Sequence, residues 1–150
     1  MKKSLLFFLS MALLFACNQS SNKTKSENHA AEEHAIADTQ LTLNNGNKWK
    51  ADTITNNNVA DIKMLADNFK IKPFPSIADY QLAGSDLNNS VNKMIRECRM
   101  SGPDHDALHK WLEPLLVGTN QLKNATDTSV ARTTFTSIDN RINEYYNFFE

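Results

Sequence analysis

Four side chains with metal-ligating chemistry fall within twelve residues: Cys98, Met100, His105 and His109. The His-x-x-x-His spacing puts both imidazoles on one side of a helix, one turn or about 5.4 Å apart. Thiolate and thioether donors favour Cu(I), whereas thiolate and imidazole also suit zinc. Copper is the first expectation, bound by Cys98, His105 and His109 with Met100 as an optional fourth ligand. Zinc is the second, with a water or Asp106 in the fourth position. Ligation would also account for an unpaired thiol. A packing account stands beside this one. Cys98 fits a small core position, and Met100 plugs the end of a bundle. His105 then pairs with a first-turn carboxylate, and His109 with Glu113 or solvent.

The elements that must position these residues are helical. Val59, Ile62, Leu65, Ala66 and Phe69 form one stripe over about Thr53 to Lys70. Asn56, Asn57 and Asn58 are poor helix formers that weaken its opening turns, and Pro73 and Pro75 end it. Ser76 with Asp79 reads as a capping box for a second helix. Its stripe is Ile77, Tyr80, Gly84, Leu87, Val91, Met94 and Cys98, and Gly84 there suits close helix approach better than a pocket. After Gly102-Pro103 a third helix is expected from Asp104 to about Asn124, with His105, Leu108, Leu112, Leu115, Thr119 and Leu122 inward. Trp111 flanks that stripe as a packing residue. Pro114 lies inside the helix, where it must free the carbonyl of Lys110 and bend the axis. Asp127 or Thr128 caps a fourth helix with Ala131, Phe135, Ile138, Ile142, Tyr145 and Phe149 on its inner face.

No segment alternates with period two, so no sheet is expected. Short connections between long helices make an all-α, up-down-up-down four-helix bundle over residues 41–150. Before it, Asn45-Gly46 marks a turn in an arm whose Leu41, Leu43 and Trp49 would cover one bundle end. That end also holds the second-to-third helix turn and the aromatic C-terminus, Tyr145, Tyr146, Phe148 and Phe149.

Residues 1–16 read as a signal peptide: Lys2 and Lys3, then a mostly apolar run from Leu5 to Phe15, then Ala16. That run is shorter than the ~20 residues of a bilayer-spanning helix. Leu14-Phe15-Ala16-Cys17 resembles a bacterial lipobox, with Phe15 departing from the smaller residue usual there. The resemblance implies cleavage before Cys17 and lipidation of its thiol. Asn18 is not the aspartate that retains such proteins at the inner membrane in some Gram-negative bacteria, which favours the outer membrane. Residues 17–40 are polar and read as a flexible tether, with His29 and His34 as solvated linker residues or a weak metal scavenger.

Loss of Lys2 and Lys3 leaves 14 basic against 17 acidic side chains, a net charge of −3. This gives no basic footprint for nucleic acid and no polybasic patch for anionic lipid, so membrane attachment falls to the lipid on Cys17. Haem is not expected: there is no Cys-x-x-Cys-His attachment motif and no histidine on the fourth helix. Glycine-rich phosphate loops and Gly-x-Ser-x-Gly elbows are missing, and no enzyme activity is expected.

The run Cys98-x-Met100-x-Gly102-x-x-His105-x-x-x-His109-x-Trp111-Leu112-x-Pro114-Leu115 follows Leu43-Asn44-Asn45-Gly46-x-Lys48-Trp49-Lys50. Together they resemble small bacterial lipoproteins of uncharacterised activity, over roughly Leu41 to Leu116. The resemblance implies a helical bundle at the cell envelope and no particular reaction. The expected function is therefore a lipid-anchored metal-binding protein. The alternative is an envelope interaction module whose aromatic C-terminal end docks a partner protein.

Overall fold

The structure, a computed structural model, describes residues 40–150. The expected signal peptide, the expected lipidation site Cys17 and the segment carrying His29 and His34 lie outside the described residues. The described chain forms four helices: α1 (Thr53–Lys70), α2 (Ile77–Glu97), α3 (Gly102–Lys123) and α4 (Thr128–Phe148). Each packs on its neighbours in chain order, α4 closes back on α1, and α2 and α4 meet across the middle. This is the expected four-helix bundle. No strand occurs among the described residues, and none of their helices is long and apolar enough to cross a membrane.

Local signals set the helix ends. Asp52 caps α1 by accepting from the Thr55 N–H at 2.6 Å. Ser76 and Asp79 form the reciprocal capping box of α2. Asp127 caps α4 through the Val130 N–H at 2.9 Å. The helix α3 starts at Gly102, earlier than expected, because Pro103 is accommodated in the first turn, where its missing N–H has no helical partner to lose. The opening of α1 is regular despite its three asparagines. Asn58 is buried and donates to the Ile54 carbonyl and to Glu97, while Asn56 accepts from the Tyr145 hydroxyl. Tertiary partners outweigh the weak helix propensity of asparagine here.

The core runs along the bundle axis through Ile62, Leu87, Val91, Leu108, Leu115, Leu122, Ile138 and Ile142. Each such fully buried aliphatic side chain contributes about 1.5–3 kcal/mol. Trp111, expected at the edge of the stripe, is 0% exposed and is the largest side chain of the core. The inner face of α3 is accordingly centred on Leu108, Trp111 and Leu115, which moves His105 from the core stripe to its margin. Gly84 lets α2 approach the end of α3: a Cβ there would stand 2.3 Å from the Lys123 backbone nitrogen.

The arm folds back as expected at Leu41 and Trp49, but Leu43 is 41% exposed. Asn44 and Asn47 exchange both backbone hydrogen bonds at 2.9 Å around Asn45-Gly46, with positive φ at both central residues. That is the geometry Asn-Gly favours in a tight hairpin. The arm then pairs with the C-terminus: Trp49 N–H donates to Phe148 O at 2.8 Å, Glu150 N–H to Trp49 O at 3.0 Å, and Ala51 N–H to Glu150 O at 2.9 Å. Lys50 adds an exposed ion pair to Glu150.

Candidate metal site

The turn from α2 to α3 is stitched to the start of α1. Cys98 is the C-terminal cap of α2, and its N–H donates to Met94 O at 2.9 Å. Arg99 N–H donates to the same Asp52 carboxylate that caps α1, at 3.3 Å. Desolvation pushes the Asp52 carboxyl up, but the hydrogen bonds from Thr55 and Arg99 outweigh it and hold the pKa below its ordinary value. The Lys50 N–H donates to Asp104 Oδ1 at 2.9 Å, tying the arm to the first turn of α3. Beneath these contacts burial drives the Tyr145 phenol well above its usual range, so its hydroxyl keeps its proton and donates to Asn56 at 2.8 Å. A platform of hydrogen-bonded elements results at this end of the bundle.

On that platform His105 is half-buried and His109 exposed. Their Nε2 atoms lie 3.2 Å apart, with ring centroids at 4.5 Å and planes crossing at 88°. One ring donates an N–H to the other, the roles depending on tautomer. The same separation suits a shared ion. With metal–nitrogen bonds of 2.0–2.1 Å, two nitrogens so placed subtend about 100° at the metal, near the tetrahedral value.

The sulfur ligands are placed differently. Cys98 is half-buried, and its Sγ accepts from the Thr55 hydroxyl of α1 at 3.9 Å. Met100 is half-buried against the hydrophobic core, and Asp106 is exposed. Among the described residues no three His, Cys, Asp or Glu side chains form a group that could hold a metal ion. The structure thus brings His105 and His109 together and leaves Cys98 with Thr55. Packing of α1 against α2 places the Thr55 hydroxyl on that sulfur.

The aromatic C-terminus is mostly internal. Tyr145 and Phe149 are buried and stacked at 4.7 Å, Trp111 meets Tyr145 edge-on at 4.9 Å, and only Tyr146 of the four aromatic residues is exposed.

One supporting residue has no local sequence signal. Arg141 of α4 donates through Nη2 to Lys110 O at 2.6 Å and through Nε to Trp111 O at 3.0 Å. Pro114 frees the Lys110 carbonyl, and a side chain of the neighbouring helix supplies the missing donor. Comparison with protein-family models, curated proteins and solved structures finds no match to this chain.

Proposed function

We propose that this chain is a lipid-anchored, non-catalytic protein of the bacterial cell envelope that binds a soft metal ion, copper before zinc, at the α2–α3 hairpin. The observation that carries the reading is the 3.2 Å separation of the His105 and His109 nitrogens on an accessible helix face. Imidazole pairs suit both ions, and copper binds the tighter at a given nitrogen site. The lipobox resemblance at Cys17 supports the anchor, and an outer-membrane address fits Asn18. Such a protein would buffer an ion or hand it to an exporter.

Titration of the purified chain with Cu(I), Cu(II) and Zn(II) tests this. His109→Ala is expected to abolish stoichiometric uptake without lowering the melting temperature of the metal-free protein. Cys98→Ala and Met100→Ala measure what the sulfurs add: retained binding assigns the ion to the histidines alone. A wild-type chain that takes up none of these ions would sink the reading and leave the interaction module. Cys17→Ser should release the protein from membranes into the soluble fraction, and a variant that stays membrane-bound refutes the anchor.

A further inference from the structure

A four-coordinate ion held by His105 and His109 has two further positions to fill. Both rings offer Nε2, and these atoms lie 3.2 Å apart. His109 is exposed and His105 half-buried, so the pair can be reached from outside the bundle. Gly102, one turn before His105, is also exposed and presents no side chain that would obstruct an approach. The sulfur donors nearby are engaged elsewhere: Cys98 Sγ accepts from Thr55, and Met100 packs against the hydrophobic core. Among the described residues no third His, Cys, Asp or Glu completes a group with the pair.

We infer that a second copy of this chain supplies the other two ligands, so that one ion on a two-fold axis joins two α3 helices through four imidazoles. This rests on the metal-binding reading above. A two-fold axis makes both chains present the same patch, and an ion on that axis receives an identical ligand pair from each. Two ligands from each chain make four, the number that a closed tetrahedral zinc site takes. The spacing fits that shell. Nitrogens 3.2 Å apart subtend about 100° at the ion, and two such pairs set at right angles build a near-tetrahedral arrangement. Neutral imidazoles suit Cu(II) as well as Zn(II). The ion itself holds the two chains together, so the contact forms when metal is supplied and comes apart when it is withdrawn. Metal supply then decides whether the protein is one chain or two.

The test uses the full chain in detergent with Zn(II) and Cu(II) alone as probes. Native mass spectrometry counts ions and chains in one measurement. Metal should double the mass at one ion per two chains, and a chelator should restore the monomer. The Cu(II) EPR spectrum should carry hyperfine structure from four imidazole nitrogens. His109→Ala should abolish the dimer and leave the metal-free melting temperature unchanged. In an equal mixture of wild type and His105→Ala/His109→Ala, only wild-type pairs should form, and mixed pairs would overturn the inference. One ion per chain in a monomer would overturn it and leave the proposed function intact. A chain that is already dimeric before metal is added would also overturn it. If wild type takes up neither ion, the proposed site falls and the inference with it.

Discussion

The guanidinium of Arg141 donates to the backbone carbonyl of Lys110 at 2.6 Å, the acceptor that Pro114 deprives of its helical partner. The same side chain donates to Trp111 O at 3.0 Å and pairs with Glu144 at 2.6 Å, while the Trp111 indole N–H returns a bond to Arg141 O at 2.7 Å. A proline kink, an arginine and the largest core residue are thus one unit. It supports the α3 segment immediately after His109.

Arg141→Met should cost about 1–3 kcal/mol, because it leaves the Lys110 carbonyl without its donor and removes a second bond to Trp111 O. Adding Pro114→Ala restores an N–H for Lys110, so the double variant should recover part of the loss. Urea denaturation of the two single variants and the double measures the coupling. Strict additivity would show that the arginine does not serve the kink.

Gly84→Ala should be strongly destabilising, since its Cβ would meet Lys123 N at 2.3 Å and Leu122 C at 2.7 Å, both backbone atoms. Overpacking of this kind costs about 1–3 kcal/mol and forces the helices apart. Gly118→Ala is the control. Its Cβ would meet only the Ile138 side chain, at 3.0 Å, and alanine gains about 0.5–1 kcal/mol of helix propensity. Thermal melts should separate the two clearly, and equal melting temperatures would contradict the close approach.

Asp79 should make the α1–α2 junction acid-sensitive. The ion-paired hydrogen bond from Lys72, with those from Ser76, lowers its pKa from 3.8 to about 2. A folded value below the unfolded one stabilises the folded state fully above about pH 4, and the contribution disappears as pH falls towards 2. Stability curves of wild type and Asp79→Asn are expected to differ at neutral pH and to converge between pH 4 and 2. A constant gap across that range would mean that the charge is not responsible.

Phe74 sits between Pro73 and Pro75 with φ at +50° and its side chain 100% exposed. Asparagine tolerates the left-handed region better than phenylalanine. Phe74→Asn should therefore raise stability, by about 1 kcal/mol, with no packing lost. A destabilised variant would show that the ring contributes to folding through contacts it does not make in this structure.

The helices themselves were legible because their signals are local. The Ser76–Asp79 box, Asp127 and the three- and four-residue apolar spacing all act within a turn or two of their own positions. They determined four helices with ends within a residue or two of those observed, and even the orphaned carbonyl at Lys110. The His105–His109 pairing is local in the same sense, being one turn of one helix. The rotation of α3 about its axis was not. Stripe residues mark a broad face, and burial of Trp111 against Tyr145 chose the part that points inward. That choice turned His105 to the margin, while the packing of α1 on α2 gave the sulfur of Cys98 to Thr55, 43 residues earlier in the chain. The donor for Lys110 came from α4, and the partner of the arm was the C-terminus. Contacts between helices depend on how whole faces fit together, and spacing along one helix carries no record of that fit.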